Sequence, residues 1–406
     1  MIKTLAGKRV ILGVTGGIAA YKSAALCSQL VKAGAQVDGV LTEAARRFIT
    51  PLTFQALTHR RVYTSVFDLP AGENIPHIAL ADAADLLIIA PATGNTLAKL
   101  ANGLADNLLT AIALATPAPL LLAPAMETDM WRHPATQRNV KDLIDWGATV
   151  VGPASGRLAS GAVGEGRMAE PDEIVEWARV VLGRSGDLAG RKVVISAGGT
   201  REDIDPVRYV TNRSSGKMGH AIALAARDRG AETSLITAAP LPDPVGVSVV
   251  RVDSAQAMRE AVLKCCQGAD ALVMAAAVAD YRPAAAAGQK IKKGEGGLTL
   301  ELVRTPDILA DVAHQKKQSG WPRVTVGFAA ETQDLLENAQ GKLRRKRLDL
   351  IAANDVSAGD AGFAVDTNRV TLLAADGSVE ALPLLSKFEV GNAIWDRVAA
   401  LLETKR

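Results

Sequence analysis

Two carboxylates stand close together in an otherwise apolar stretch of the sequence. Residues 123–131 read APAMETDMW and contain Glu127 and Asp129. A pair of carboxyl groups can act in acid–base catalysis. Acidic residues are also typical of the first turn of a helix, where they compensate the helix dipole. The stretch alone leaves both interpretations open.

Glycine and hydroxyl side chains follow the first two predicted strands. In GVTGG (13–17), Gly16 and Gly17 let the backbone approach an anion closely, and the next strand ends at Thr42, whose hydroxyl suits a phosphate or a ribityl chain. Dinucleotide binding would require the GxGxxG pattern and an acidic residue at the end of the second strand. The sequence has neither feature here. It indicates either a nucleotide or flavin site or a plain turn.

Further polar side chains follow a later strand. APATGNTLAK (90–99) places Thr93, Asn95 and Thr96 where α/β proteins bind ligands, although a Thr or Asn there could equally cap a helix, worth about 1 kcal/mol. His77 begins the apolar helical pattern PHIALADAAD. Histidine is a common general acid or base in catalysis, although a single His is more often structural.

The second half contains a polar loop and a possible base-reading carboxylate. TNRSSGKMG (211–219) fails as a P-loop, because Thr211 stands where that motif needs its first Gly and Met218 follows Lys217. A loop that opens a helix at Gly216 nevertheless remains a candidate anion site. Asp280 follows a buried strand and suits contact with a base or a sugar.

Basic residues concentrate in two segments. Lys290, with Lys292 and Lys293, could neutralise a triphosphate or could be solvated, and KLRRKRLD (342–349) could suggest nucleic acid. The net charge of the chain is only +3, so this basic run is better matched to substrate phosphates or water than to a nucleic acid.

Composition and periodicity give the elements that must position these residues. The 406 residues are 48% hydrophobic but only 4% aromatic, as in α/β proteins with buried parallel strands. Strands alternate with helical patterns, and the strand–glycine–helix opening at 8–17 recurs at 191–202. We therefore predict two doubly wound α/β domains, 1–186 and 187–406, with 184–190 as the linker.

Three further segments carry expectations. Residues 152–170 are rich in Gly, Ala and Ser without periodicity, which predicts a functional loop such as a lid. The uncharged stretch 108–126 contains Pro117, Pro119 and Pro124, and therefore predicts a helix end, a turn and a strand rather than a membrane span. Three cysteines without a disulfide framework, and no signal-peptide pattern, favour the cytoplasm.

Many ordered motifs together give the chain a family resemblance. TGGIAAYKSA, HIALADAADLLIIAPATGNTLAKLANGLADNLL and PAM..DMW resemble the flavin-dependent half of bifunctional phosphopantothenoylcysteine decarboxylase/phosphopantothenate–cysteine ligases. AGGTREDIDPVRYVTNRSSGKMG, AAAVADYRP, KIKK, TPDILADV, VGFAAET and KLRRKRLDLIAANDV resemble the ligase half. The resemblance covers nearly the full length and implies coenzyme A biosynthesis in a multifunctional enzyme, both lyase and ligase.

For domain 1–186 the resemblance implies a flavodoxin-like, Rossmann-like flavoprotein. FMN would be bound by Gly16, Gly17, Thr42, Thr93 and Asn95. The flavin would oxidise the cysteine moiety of 4'-phosphopantothenoylcysteine to a thioaldehyde-like acid that loses CO2, and would then return the hydride. An acid reprotonates the enethiolate, and His77 matches the essential histidine of the family.

For domain 187–406 the resemblance implies a Rossmann-like ligase. CTP and Mg²⁺ would activate 4'-phosphopantothenate as an acyl cytidylate, which the amine of L-cysteine attacks, with Asn212 acting at the intermediate. The positions that match CTP contacts are Met274, Ala275, Ala276, Asp280, Lys290, Pro306, Asp307, Ile308, Leu309, Phe328, Lys342 and Lys346. The resemblance also implies a homo-oligomer, trimeric in the flavin domain and dimeric in the ligase, hence a possible dodecamer.

Two residues depart from the pattern of the decarboxylase half. Glu127 stands where the family has a substrate-binding Asn, and an ionised carboxylate repels a substrate carboxylate instead of donating to it. Ser160 occupies the position at which the family has the proton-donating Cys of the lid. A hydroxyl is a far weaker acid than a thiol, whose pKa is about 8.5. We therefore predict an intact ligase with impaired, lost or altered decarboxylation.

Alternatives from other classes remain open at this point. The first domain could be a flavin-binding regulatory or scaffold unit, or a decarboxylase for a substrate without the usual carboxylate contact. A nucleic-acid-binding protein that uses the basic run 342–347 is the third alternative.

Overall fold

The computed structural model describes residues 4–67, 76–293, 297–331, 335–355 and 366–405. The chain divides into two compact units, residues 2–183 and residues 184–406. Each unit is built on a mainly parallel sheet with helices between the strands, which confirms the predicted α/β class.

The N-terminal unit alternates strands and helices along the chain. Its strands are β1 (Arg9–Val14), β2 (Gln36–Leu41), β3 (Val62–Tyr63), β4 (Leu86–Ala92), β5 (Leu120–Pro124), β6 (Thr149–Val150), β7 (Ala154–Arg157) and β8 (Val163–Arg167). Its helices are α1 (Ala20–Lys32), α2 (Pro51–Thr58), α3 (Pro76–Ala83), α4 (Gly94–Ala101), α5 (Leu108–Ala115), α6 (Thr128–Arg132), α7 (Pro134–Asp145) and α8 (Pro171–Gly183).

Six of these strands form one parallel sheet in the order β3-β2-β1-β4-β5-β6. The strand order reverses between β1 and β4, and open α/β sheets bind ligands beyond the carboxyl ends of strands at such a point. Every residue of β4 is buried, which explains its continuous apolar run. The sheet therefore brings the residues after β1, β2 and β4 to one edge.

The segment predicted as a loop, residues 152–170, instead contains an antiparallel hairpin of β7 and β8. Its glycines hide any hydrophobic alternation because the backbone packs too closely for side chains. A Cβ at Gly166, where φ is 151°, would lie 2.1 Å from the backbone oxygen of Met126. The hairpin is thereby fixed against the stretch that precedes α6.

The C-terminal unit carries the remaining elements. Its strands are β9 (Lys192–Ala197), β10 (Arg201–Asp203), β11 (Tyr209–Thr211), β12 (Glu232–Thr237), β13 (Ser248–Arg251), β14 (Ala271–Met274), β15 (Tyr281–Pro283), β16 (Leu302–Arg304), β17 (Val324–Glu331), β18 (Leu350–Asp355), β19 (Thr367–Asn368), β20 (Val370–Ala374), β21 (Val379–Ala381) and β22 (Leu385–Ser386). Its helices are α9 (Lys217–Arg227), α10 (Ala255–Cys265), α11 (Ile308–Ser319), α12 (Leu335–Lys346) and α13 (Lys387–Thr404).

Eight of these strands form a sheet in the order β13-β12-β9-β14-β17-β18-β20-β21, and β20 and β21 run antiparallel to their neighbours. Helix α13 covers one face of the sheet, packed against α9. Trp395 of α13 is fully buried, and its Nε1 donates to the backbone oxygen of Ile222 over 2.9 Å. A buried indole that keeps its hydrogen bond anchors this helix in the core.

The predicted linker, residues 184–190, packs onto the C-terminal unit. Leu188 is buried, and Asp187 pairs with the buried guanidinium of Arg229, which also contacts Asp396. Burial of a charged side chain requires such partners. The segment is therefore part of the C-terminal unit and not a free connection.

The uncharged stretch 108–126 folds as predicted. Helix α5 ends at Ala115, a turn follows, and β5 begins at Leu120. Among the helices that the structure describes, none combines the length and the apolar character that crossing a bilayer requires.

Candidate active sites

A cavity of about 1070 Å³ lies at the carboxyl edge of the N-terminal sheet. All five predicted flavin contacts line it, namely Gly16, Gly17, Thr42, Thr93 and Asn95. They come from the turns after β1, β2 and β4, which the strand order brings together. The cavity is of a size that holds a cofactor.

Hydroxyl groups fix the turn after β4. Thr93 is the N-cap of α4, and its Oγ1 accepts from the backbone amide of Thr96 over 3.4 Å. The amide of Thr93 donates to Oγ1 of Thr15 over 3.2 Å, and Thr15 in turn donates to the backbone oxygen of Pro91 over 2.6 Å. The capping and ligand-binding interpretations of this turn are therefore compatible, because Thr93 caps the helix while it lines the cavity.

The glycine turn is a cradle with no room for a side chain at Gly16. A Cβ at Gly16 would lie 2.4 Å from the Cβ of Ala44 and 2.9 Å from its backbone carbon. Helix α1, which follows, has no side-chain cap and no acidic residue in its first turn. These features fit an anionic group such as the phosphate of FMN.

We expect Gly16→Ala to lower flavin content strongly, because a rigid backbone neighbour cannot move out of the way. A tenfold loss of affinity, about 1.4 kcal/mol, is the minimum expected. Gly17→Ala should lose less, since its Cβ would meet only Thr93 Cγ2 at 3.7 Å. Flavin absorbance per protein after purification measures both, and equal flavin retention in the two variants would contradict the cradle.

The two carboxylates of the stretch 123–131 have different environments. Asp129 lies in the first turn of α6 and does not line the cavity. Glu127 is the residue before the helix, makes no capping hydrogen bond and lines the cavity beside Met126. Only Glu127 is thus placed to meet a substrate.

Ser160 and His77, the other predicted catalytic residues of this unit, do not line the cavity. Ser160 is exposed at the tip of the β7–β8 hairpin, where its Oγ accepts from the amide of Ala162 over 3.4 Å, and its neighbour Ala159 lines the cavity. His77 lies in α3, and its buried Nδ1 has no hydrogen-bond partner among the described residues. Of the predicted catalytic residues of this unit, only Glu127 lines the cavity.

No cysteine takes the place of the lid thiol. Cys27 is buried in α1, and burial raises its pKa to about 12. Cys265 and Cys266 belong to the C-terminal unit, and burial raises the pKa of both thiols, that of Cys266 to about 12. None of the three is a ready proton donor or nucleophile.

The sequence pattern does not predict the charged residues around the flavin cavity. Lys22 of α1 donates to the backbone oxygen of Met168 over 3.2 Å and to Glu170 over 2.7 Å. Lys99 pairs with Asp106 over 2.6 Å, and both line the cavity. The partners lie far apart in sequence or in different elements, so spacing gave no indication of them.

A second cavity, of about 1010 Å³, lies at the carboxyl edge of the C-terminal sheet. It is lined by most of the predicted ligase residues, namely Asn212, Met274, Ala275, Ala276, Asp280, Pro306, Asp307, Ile308, Leu309, Phe328, Lys342 and Lys346. The polar loop before α9 also lines it. Gly216 adopts φ 74°, and a Cβ there would lie 2.3 Å from the Cβ of Ala239.

The cavity lysines lie one turn apart on α12. Nζ of Lys342 donates to the backbone oxygen of Phe328 over 2.6 Å, and Lys346 pairs with Asp307. Asp307 also caps α11, because its Oδ1 accepts from the amide of Ala310 over 3.2 Å. Two cations of the basic run 342–347 thus line a ligand cavity. This position suits contact with the phosphate groups of a substrate better than contact with a nucleic acid.

Lys290, the remaining residue predicted to contact CTP, does not line this cavity. It is exposed, and the segment beside it is held by a latch of Asp205 and Arg208. The amide of Ile291 donates to Oδ2 of Asp205 over 3.1 Å, and Arg208 Nη2 donates to the oxygen of Ile291 over 2.6 Å. Sequence spacing could not reveal this contact across more than 80 residues.

The latch predicts a pH dependence. Burial opposes ionisation of Asp205, but amides of Val207, Ile291 and Arg208 and the Arg208 side chain lower its pKa from 3.8 to about 2. A carboxyl whose pKa is depressed by folding stabilises the fold fully above its unfolded value and loses that contribution as the pH falls through its folded value. The window is therefore pH 3.8 down to about 2.

We expect Asp205→Asn to lower the melting temperature of the C-terminal unit at pH 5, with the difference from wild type shrinking as the pH falls towards 2. Melting curves across that range provide the measurement, and Asp203→Asn, at an exposed position in β10, is the control. A difference that stays constant down to pH 2 would contradict the latch.

Each of the two units that carry a cavity matches a known protein family. Residues 2–182 match the family model described as Flavoprotein. Residues 188–402 match the model described as DNA/pantothenate metabolism flavoprotein C-terminal domain, which spans more than half of the chain.

Full-length relatives cover both units. The chain is 49% identical over 401 residues to the coenzyme A biosynthesis bifunctional protein CoaBC of Bacillus subtilis (strain 168), covering 98% of each protein. It is 49% identical over 409 residues to the protein of that name from Mycobacterium tuberculosis (strain ATCC 25618 / H37Rv), covering 97% of each. The Vibrio cholerae protein of that name is 47% identical over 396 residues, covering 97% of this chain and 98% of its own length.

Proposed function

The chain belongs to the family of coenzyme A biosynthesis bifunctional proteins, and we propose on that premise that it carries out two consecutive steps of this biosynthesis. Residues 187–406 join 4'-phosphopantothenate to L-cysteine at the expense of CTP. Residues 1–186 decarboxylate the product, 4'-phosphopantothenoylcysteine, to 4'-phosphopantetheine. The observation that carries the proposal is the convergence of the predicted ligase residues on one cavity.

The ligase cavity suits positioning and charge neutralisation. Lys342 and Lys346 of α12 face the same cavity as Asp280 and the backbone after β14, so phosphates and a base can be held together. Attack of the acid on CTP gives the acyl cytidylate and pyrophosphate, and the amine of cysteine then displaces CMP. In nucleotidyl and phosphoryl transfer, most of the rate enhancement comes from holding the attacking group and the nucleotide in line and from neutralising charge.

A Mg²⁺ ion is part of the proposal as a companion of CTP. Among the residues that the structure describes, no group of three or more His, Cys, Asp or Glu side chains is placed to hold a metal ion. Mg²⁺ keeps several waters and commonly binds through substrate phosphates. The protein would therefore hold it mainly through CTP.

The flavin cavity suits FMN, which supplies two-electron oxidation and reduction of the substrate. The glycine cradle and the hydroxyls of Thr42 and Thr93 would hold its phosphate and ribityl chain, and Asn95 lines the same cavity. Glu127 faces the substrate from the start of α6. Ser160 and His77 would act on protons from the hairpin tip and from α3.

These two residues do not line the cavity of their own chain, and we propose that a second copy of the chain completes the active site. The proposal therefore includes a homo-oligomer, with a trimeric flavin domain, a dimeric ligase domain and a possible dodecamer. The N-terminal unit has an apolar surface that suits such packing, with Leu114 65% and Trp146 67% exposed beside one depression. We also place the protein in the cytoplasm, consistent with free cysteines.

The scaffold alternative is not favoured, because relatives that match over 97–98% of this chain carry the name of a bifunctional biosynthetic protein. To test the ligase, the full chain is incubated with 4'-phosphopantothenate, cysteine and either CTP or ATP. We expect pyrophosphate, CMP and 4'-phosphopantothenoylcysteine in equal amounts with CTP. Absence of the amide product with either nucleotide would refute the ligase assignment.

A further inference from the structure

The β7–β8 hairpin forms one wall of the flavin cavity. Two hydrogen bonds hold this wall against the start of α6. Oγ1 of Thr128 donates to the backbone oxygen of Glu165 over 2.8 Å, and the amide of Met126 donates to the backbone oxygen of Gly166 over 3.0 Å. The hairpin is therefore anchored on both sides of Glu127 in the sequence. The residues that this wall contributes to the cavity lining are Arg157, Leu158, Ala159, Gly166, Arg167 and Met168.

The register of the hairpin brings Arg157 close to this anchor. Gly156 lies opposite Gly164, and a Cβ at Gly164 would lie 2.4 Å from Oγ1 of Thr128. Arg157 is the next residue of β7, and it is exposed while it lines the cavity. Arg157 and Glu127 therefore line the cavity from two segments that pack against each other.

Most of the charged side chains that line this cavity already have an ionic partner. Lys22 and Arg167 both contact Glu170, and Lys99 pairs with Asp106. Three charged side chains of the lining make no hydrogen bond or ion pair with the residues that the structure describes, namely Glu43, Glu127 and Arg157. Within the described lining, the guanidinium is thus the one cation that can accept an anionic ligand without losing a partner.

The chemistry of these groups favours a carboxylate as the ligand of Arg157. A guanidinium is always charged near neutral pH, and its planar fork matches a carboxylate with two parallel N–H donors. The unpaired carboxylates of Glu43 and Glu127 repel an anionic ligand, so a cation in the same cavity is needed to hold one. In 4'-phosphopantothenoylcysteine the carboxylate is next to the reacting group, whereas the phosphate is at the opposite end of the molecule. A residue that lines the flavin cavity is therefore placed for the carboxylate.

We propose that Arg157 binds the carboxylate of the substrate in the flavin cavity and offsets the repulsion from Glu127. Arg157 thereby determines specificity, because the acid is held and the product without a carboxylate is released. The inference deepens the proposed function, on which the identity of the substrate rests.

Titrations of the full chain with FMN bound test this contact through the change in flavin absorbance, which reports a ligand beside the flavin and not one in the ligase cavity. The acid is 4'-phosphopantothenoylserine, in which a hydroxyl replaces the reacting thiol. The second ligand, 4'-phosphopantothenoylethanolamine, lacks only the carboxylate, and the third, pantothenoylserine, lacks only the phosphate. We expect wild type to bind the acid at least tenfold more tightly than the ethanolamine compound.

Arg157→Met should weaken the binding of both serine compounds at least tenfold and leave the affinity for the ethanolamine compound within twofold of wild type. Arg157→Lys should stay within about fivefold of wild type for all three ligands, because the charge remains. Arg138→Met removes an exposed arginine of α7 outside the cavity, and it controls for the change in net charge.

Affinities of Arg157→Met for the serine compounds within twofold of wild type, at unchanged melting temperature, would overturn the proposal. Equal weakening in Arg138→Met, or a wild type that does not distinguish the acid from the ethanolamine compound, would also overturn it. A loss confined to the two phosphorylated ligands would assign Arg157 to the phosphate instead. Discrimination that depends on Arg157 in a chain that releases no CO2 from 4'-phosphopantothenoylcysteine would refute the proposed decarboxylation but leave this site standing.

Discussion

Glu127→Asn combined with Ser160→Cys is expected to release CO2 from 4'-phosphopantothenoylcysteine about a hundredfold faster than the wild-type chain, the usual range for a restored proton-transfer group. Glu127 lines the flavin cavity without a capping role, and in the proposed reaction its carboxylate would face the substrate carboxylate. An Asn amide would donate a hydrogen bond there instead of repelling.

The second substitution acts on the proton. Ser160 stands at the exposed tip of the β7–β8 hairpin, and the three cysteines of the chain are elsewhere, two of them with pKa raised to about 12. A thiol at the tip would donate to an enethiolate far more readily than a hydroxyl. Because the hairpin tip is exposed, the change should leave the fold intact.

Each single variant separates the two effects. Glu127→Asn should mainly lower KM, whereas Ser160→Cys should mainly raise kcat. Asp129→Asn is the matched control, since this neighbour lies in the helix turn outside the cavity and should change neither value by more than about twofold. A double variant no faster than wild type would show that these two residues are not what limits the decarboxylase.

Asn212→Ala is expected to slow amide formation about a hundredfold while the first release of pyrophosphate proceeds nearly unchanged. Nδ2 of Asn212 donates to the backbone oxygen of Val278 over 3.0 Å, which fixes the amide at the cavity. In the proposed ligase reaction its Oδ1 would accept a hydrogen bond from the amine of cysteine. Loss of that acceptor should leave the acyl cytidylate formed but poorly attacked.

Rapid-quench single turnovers with CTP measure the two steps separately. We expect the acyl cytidylate to accumulate in Asn212→Ala and not in wild type or in Gln267→Ala, an exposed amide outside the cavity. Equal slowing of both steps would assign Asn212 to substrate binding. Unchanged amide formation would remove it from the site.

The sequence predicted the parts of both sites that depend on strand ends. Gly16, Thr42, Thr93 and Asn95 were predicted from their places after strands, and parallel pairing necessarily gathers such positions at one edge. The match of the ligase motifs to a family placed most other residues, and twelve of these positions line one cavity.

Features that depend on tertiary packing were not predictable. The hairpin of β7 and β8 lacks the alternation of apolar and polar residues that indicates a strand, because Gly166 packs on the backbone of Met126. The sequence pattern therefore predicts a loop there. Arg157 gave no pattern of its own, because the register between these short antiparallel strands brings it to the cavity.

The predicted CTP contact of Lys290 stays a prediction: Lys290 does not line the cavity, and its neighbour Ile291 is bonded to Asp205 and Arg208.

The central claim, two consecutive reactions in one chain, is tested most directly by a single preparation supplied with 4'-phosphopantothenate, cysteine and CTP. Both the amide and its decarboxylated product are followed over time, together with CO2. The account predicts rapid CTP-dependent formation of 4'-phosphopantothenoylcysteine, followed by slower formation of 4'-phosphopantetheine equal to the CO2 released. Amide that accumulates without any CO2, in wild type and in the Glu127→Asn, Ser160→Cys variant alike, would contradict it.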